Sequence, residues 1–353
     1  TNNQYIQTIF PGKLKVNIFD VGELNPLISL PFLMIMLSEL GTLTLQEPPV
    51  QELIHSDEKF DAVIVEQFLI DDLKALASHF NAVQIVFSST GSNLWIDSLV
   101  GNPSPPSYVP SAGLSYSSQM TFLQRVTNTL VYLLNVVMMH AYVYPNNEQT
   151  VQKYIPGAPH IEDFLYNASL VLLNSHHSFS QPVPHVPNMV EIGGFHIKPP
   201  KKLPQDLQTF LDGATEGAIY FSMGSNLRSV DLPTDKRDAI LNAFAKLKQK
   251  VLWKWEDEEL PNKPKNVEVG KWLPQQDVLA HPNVKLFVTH GGLLSTTETI
   301  YFGVPVLAIP IYGDQKMNAQ LAVNDGYGLS LPYKEVNKET FAQNLDEVLN
   351  NPK

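Results

Sequence analysis

Short apolar runs that end on small residues recur between Gly217 and Ile309, and they restrict the fold of this chain more than any other feature. Gly217–Ser222, Lys250–Trp255, Lys285–Thr289 and Val304–Ile309 are apolar almost throughout. A strand with one face in water alternates; a strand that does not alternate must be covered on both faces. Helical spacing fills the gaps. Ile240, Phe244 and Leu247 follow Thr234, which offers an N-cap; one further helix runs to about Phe302 and another starts after Asp314. This alternation specifies an α/β fold with a parallel sheet and helices on both faces.

The N-terminal half is less regular. Asp61–Val65, Ala82–Phe87 and Ser169–Leu173 read as buried strands, with helices over 67–80 and 119–143. Residues 129–143 are apolar but shorter than the ~20 residues of a membrane span, and they carry Asn135 and His140, so a buried helix is expected. Gly101–Pro110 and Ser180–Pro187 read as loops. The Pro-rich polar stretch Lys198–Pro204 reads as a linker. A chain of 353 residues is too long for one ordinary core. The expected division is an N-terminal domain over 1–197, a linker over 198–204 and a C-terminal domain over 205–353. The polar opening Thr1-Asn2-Asn3-Gln4 has no initiator Met or signal peptide and reads as a chain without its natural start.

Composition removes several function classes. The net charge is −11 and no Lys/Arg run supplies a basic face, so nucleic acid is not an expected partner. An anionic ligand must be held by local geometry. The absence of cysteine excludes disulfides, thiolate metal sites and thiol catalysis. Asn167-Ala168-Ser169 is a glycosylation sequon, or a chance match to one.

The informative stretch runs from Trp272 to Gln315. At its centre, Gly291 and Gly292 end a strand and open a helix. Two glycines there allow a sharp turn and a close approach to a ligand. The helix start aims unpaired N–H groups and its positive dipole end at the same spot, as a phosphate needs. His290, Ser295 and Thr296 offer donors, and Glu298 can accept from a ribose hydroxyl. The same residues also fit a plain strand–helix turn with a satisfied histidine. Upstream, Trp272 offers a flat face to a base and Gln275 an amide to a nucleoside, although a lone Trp also suits a core. Downstream, Asp314 and Gln315 suit sugar hydroxyls, or Asp314 serves as an N-cap.

Taken together, Trp272-x-x-Gln275, Thr289-His290-Gly291-Gly292, Glu298 and Asp314-Gln315 resemble the signature of the UDP-glycosyltransferases. Phe221-Ser222-Met223-Gly224-Ser225 resembles that family's serine-glycine loop. Pro106–Pro110, Gln119–Phe122 and Ile192–Gly194 look like its animal branch, and Leu293–Thr296 looks most like insect members.

The resemblance implies an inverting enzyme of the GT-B fold, with two Rossmann-like domains whose parallel sheets face a central cleft. Residues 1–197 would bind the acceptor and 205–353 the UDP-sugar. Trp272 would stack on uracil, with Gln275 and Glu298 at the nucleoside. Gly224, Ser225, His290, Gly292 and Ser295 would hold the diphosphate, and Asp314 and Gln315 the sugar. Leu294 stands where some members carry an asparagine near the phosphates, so that contact is absent.

None of the ten histidines has the context of the family's catalytic base, which is expected before Thr1. Its acidic partner is matched by Glu66, with Asp71 and Asp72 as alternatives; these carboxylates also fit solvated helix-start residues. The implied donor is a UDP-sugar, UDP-glucose above others, with no prosthetic group and no metal. The implied acceptor is a small lipophilic molecule, as in detoxification. Leu30, Phe32, Leu33, Met34, Phe122, Met138 and Met139 suit such a molecule and equally suit a core. The family implies a glycoprotein of the endoplasmic reticulum lumen, anchored in the membrane by a segment after Lys353, and is compatible with a homo-oligomer. Glucuronosyl transfer and a non-catalytic binding role are the alternatives.

Overall fold

The computed structural model describes residues 19, 26–111, 114 and 116–351. The opening Thr1–Gln4 and the side chains of Phe32 and Leu33 lie outside the described residues. The chain divides into two compact units. One extends to Phe195; the other runs from His196 onward and includes Phe19.

The first unit carries a parallel sheet of β1 (Ala62–Glu66), β2 (Val83–Ser88), β3 (Leu170–Leu173) and β4 (Met189–Glu191), in that order. Helices α1 (Pro26–Gln46), α2 (Phe122–Met138) and α3 (Tyr144–Tyr154) accompany it. A capping box starts α2: Thr121 Oγ1 accepts from Gln124 N while Thr121 N donates to Gln124 Oε1. The structure departs from expectation here. Residues 129–143 are not a wholly buried helix: Val131, Asn135 and Met139 enter the core, while Leu130, Leu133 and Val137 are exposed. A π turn, Met139–Val143, joins α2 to α3, and the run Phe122–Tyr154 is long and apolar enough by composition to cross a membrane. The helix expected over 67–80 is also broken. Leu69 has φ 62°, which no helix contains, and only a 3-10 turn (Asp71–Lys74) and the short helix Ala75–His79 follow.

The second unit is built on six parallel strands: β5 (Ala218–Ser222), β6 (Lys250–Lys254), β7 (Val267–Gly270), β8 (Val284–Thr289), β9 (Val306–Ala308) and β10 (Gly328–Ser330). Their order is β10-β9-β8-β5-β6-β7. Its helices are α4 (Gln205–Asp212), α5 (Thr234–Phe244), α6 (Gln275–Leu279), α7 (Leu293–Phe302), α8 (Gln315–Asn324) and α9 (Lys338–Asn350). Both faces of the sheet are covered. Ile219, Phe221, Trp253 and Val288 enter one cluster, with Phe244 and Phe341 from α5 and α9 edge-on at 5.5 Å. Ala218, Tyr220, Leu252 and Phe287 enter the other, with Leu207 and Leu211 of α4. Thr234 is not the cap of α5; Pro233 precedes the helix and no side-chain cap forms. The stretch Lys198–Pro204 is held to this unit: Lys198 N donates to Gln276 Oε1 (3.0 Å) and Lys201 N to Asp277 Oδ1 (2.7 Å).

Candidate functional site

β5 and β8 are neighbours at the centre of the six-stranded sheet. From them the order runs outward to β6 and β7 on one side and to β9 and β10 on the other. This is a switch point, where the turns leaving adjacent strands diverge and open a crevice at the carboxyl ends. The residues singled out by sequence fall on these turns. Gly224 and Ser225 follow β5, Trp272 and Gln275 follow β7, His290 to Gly292 follow β8, and Asp314 and Gln315 follow β9. Ser295 and Glu298 lie on α7.

His290 is clasped between two glycines. A Cβ at Gly224 would stand 2.5 Å from its Cε1, and one at Gly292 would stand 2.6 Å from its Nε2. Gly224 also has φ 86°, a conformation that L side chains avoid. The imidazole keeps only a partly open edge. Burial, and secondarily the charge of Lys254, lower its pKa to about 4, so the ring is neutral at pH 7. Its Nδ1 is buried with no hydrogen-bond partner among the described residues.

Glu298 is 6% exposed and its carboxylate is fully engaged. Gln275 Nε2 donates to Oε2 (2.6 Å) and Gln276 Nε2 to Oε1 (3.0 Å), while His196 Nε2 lies 3.4 Å from Oε1. Gln275 also donates to Ser295 Oγ (3.0 Å) and accepts from the Tyr220 hydroxyl (3.3 Å). Gln275, Ser295 and Glu298 are thus one hydrogen-bonded group. Thr296 does not join it; its hydroxyl donates to Gly292 O, one turn back in the helix. Ser225 and Leu294 are exposed.

Trp272 is 74% exposed, and Lys254 Nζ stands 5.6 Å from the centroid of its ring. The turn after β9 is held differently. Gln315 Oε1 accepts from the N–H groups of Ile311 and Tyr312. Asn318 Nδ2 donates both to Asp314 Oδ2 (2.8 Å) and to Gly291 O (2.9 Å), so one amide ties this turn to the His290 turn. Burial raises the pKa of Asp314, against the hydrogen bonds from Asn318 and from the Leu293 N–H at the start of α7. Among the described residues no group of His, Asp and Glu is arranged to hold a metal ion.

Sequence reasoning passed over Tyr220, Lys254, Gln276 and Asn318. Two signals were present: a lysine directly after the apolar run Val251–Trp253, and a second glutamine beside Gln275.

The acidic candidates of the first unit do not gather in this way. Glu66 is exposed at the end of β1. Asp71 and Asp72 are not solvated helix-start residues; both are fully buried, and Asp71 is paired with Lys74 and Gln67. Leu30, Met34 and Met139 pack in the unit's core, Met138 at its margin, and Phe122 is exposed. Asn167 is exposed just before β3.

Two parallel α/β units, the second with its candidate residues on the turns around a switch point, define the GT-B fold class. The crystal structure of a UDP-glucose:anthocyanidin 3-O-glucosyltransferase in complex with UDP superimposes with a TM-score of 0.61 at 18% identity, covering 97% of this chain and 76% of that one. Residues 50–353 match the sequence model of the family described as UDP-glucoronosyl and UDP-glucosyl transferase, and the chain belongs to that family. It is 41% identical over 308 residues to UDP-glycosyltransferase UGT5 of Dactylopius coccus, covering 86% of this chain and 58% of that protein. It is 35% identical over 297 residues to 2-hydroxyacylsphingosine 1-beta-galactosyltransferase of Rattus norvegicus, covering 84% and 54%. The chain therefore spans little more than half the length of these relatives. The resemblance to animal UDP-glycosyltransferases, insect members included, is borne out.

Proposed function

We propose that this chain supplies the donor-binding unit, residues 205–353, and part of the acceptor-binding unit of an inverting UDP-sugar hexosyltransferase. The donor is UDP-glucose and the acceptor a hydroxyl of a small lipophilic molecule. One observation carries this reading: an exposed indole, an amide–carboxylate pair and a glycine-clasped imidazole stand on neighbouring turns at the carboxyl ends of one parallel sheet. Trp272 stacks on uracil. Gln275 and Glu298 meet the nucleoside, Glu298 exchanging an amide for a ribose hydroxyl. Gly224, Ser225, His290, Gly292, Ser295 and the N–H groups opening α7 take the diphosphate. Asp314 and Gln315 meet the sugar.

In the reaction, the acceptor oxygen bonds to the anomeric carbon as that carbon's bond to the phosphate oxygen breaks. The acceptor proton passes to a histidine base, with Glu66 as its acidic partner. Charge developing on UDP is met by backbone N–H groups and by His290 as a neutral donor, aimed in advance. Gln315 is compatible with glucose, and the turn that carries it has no arginine to pair with a glucuronate carboxylate. The same reading places the full-length protein in the endoplasmic reticulum lumen, held by a membrane segment, and the exposure of Asn167 suits a glycan there. A non-catalytic UDP-sugar carrier is the second reading.

The test is turnover of UDP-glucose and UDP-glucuronic acid by the full-length protein with a panel of lipophilic acceptors. A β-glucoside identified by NMR is the expected product. An α-linked product contradicts inversion, and UDP-glucose binding without turnover favours the carrier.

A further inference from the structure

Lys254 ends β6 and is 7% exposed, although it carries a charge. Its Nζ donates to Gly224 O (2.9 Å) and Glu256 Oε1 (2.9 Å) and stands beside the Trp272 ring. One ammonium thus touches the phosphate loop after β5 and the base platform after β7. Glu256, Glu298 and Asp314 lie on the same edge of the sheet, and Lys316, at the start of α8, is only half-buried. Arg228 and Lys271, on the same turns, are largely exposed and sit with Asp231 and Glu258. His290 is neutral at working pH. A nucleoside diphosphate entering here brings at least two negative charges to a site with one buried cation.

The hydrogen bond to Gly224 adds a directional effect. The oxygen of Gly224 and the N–H of Ser225 belong to one planar trans peptide, so they point in opposite directions. Anchoring the oxygen on Lys254 aims the Ser225 N–H away from the lysine, as an anion on the loop's outer side requires.

Resting on the donor-site reading above, we propose that Lys254 is the positioning cation of the diphosphate subsite, fixing the Gly224–Ser225 peptide toward a phosphate and offsetting its charge. A residue that merely supports the indole would serve a nucleoside and its diphosphate equally. A diphosphate cation serves only the second.

The experiment is calorimetric titration of UDP and uridine into wild type, Lys254→Met, Lys254→Arg and Trp272→Ala. Loss of one charge-assisted contact predicts UDP binding about tenfold or more weaker in Lys254→Met, with uridine changed less than about threefold. Lys254→Arg keeps the charge and recovers most of the UDP affinity. Trp272→Ala weakens both ligands together. Unchanged UDP binding in Lys254→Met, or equal weakening of UDP and uridine, overturns the proposal. Retained uridine binding shows that the variant is folded. Failure of wild type to bind UDP is a different result and removes the donor-site reading itself.

Discussion

The carboxyl edge of the six-stranded sheet and the end of β1 in the four-stranded sheet both carry polar residues on turns after parallel strands, and they treat them in opposite ways. After β5 and β8, glycines at 224 and 292 let the backbone close around His290 while Trp272 stays in solvent. After β1, no glycine intervenes; the chain passes through Leu69 at φ 62° and carries Asp71 and Asp72 inward. A Cβ at Gly41 would collide with Asp72 Oδ1, so the carboxyl is packed directly against α1. The lesson is that a carboxylate following a strand is not thereby at a surface. The backbone freedom of the turn decides whether polar groups converge on a ligand or are consumed by one another.

The largest effect that tests this contrast lies at Asp72. Burial, and then the charge of Asp71, raise its pKa to about 7. The native state therefore holds a proton that the unfolded chain releases near pH 4. Its stabilising contribution is complete below about pH 4 and is lost as pH rises toward 7. Asp72→Asn should be more stable than wild type at pH 8 by up to ~4 kcal/mol, with the gap closing at pH 4. Urea unfolding at the two pH values measures it, and a pH-independent difference would show that the carboxyl is solvated.

Gly224→Ala comes next. The new methyl meets His290 Cε1 at 2.5 Å, on a backbone at φ 86°. A stability loss of ~1–3 kcal/mol is expected, with UDP binding weakened as the imidazole is displaced. Gly292→Ala sharpens the point, because φ there is −64° and only the collision with the ring remains. Denaturation and UDP titration of both variants separate strain from collision.

The smallest effect belongs to Glu66. Exposed at a strand end, it should tolerate Glu66→Gln within about 0.5 kcal/mol and with UDP affinity unchanged. In the full-length protein, turnover should fall substantially if Glu66 orients the base. A shift in stability or in UDP binding would instead assign it a structural role.

In the second unit the interior strands were legible in the sequence because both faces are covered and the apolar runs are continuous. The strands it missed, β4, β7 and β10, each lie at a sheet edge, where a few residues with one solvated side leave no such run. Trp272, Gln275, His290 and Asp314 could be picked out because each follows a strand, and Glu298 because it lies on the helix that opens after His290. That Gln275 and Gln276 both close on Glu298 could not, since the bond depends on how α6 sits against α7. Lys254 was hidden for a related reason. A lysine at the end of a strand usually reaches water, and only the packing of three turns shows that this one does not.

Calorimetric titration of UDP into wild type, Trp272→Ala and Glu298→Ala addresses the donor site most directly. Stacking of a base on an exposed aromatic is worth ~1–3 kcal/mol, so Trp272→Ala should bind UDP roughly ten- to a hundredfold more weakly. Glu298→Ala, which also frees two half-buried amides, should bind at least as poorly as that. Equal affinity in all three proteins would mean that these turns do not form a nucleotide site.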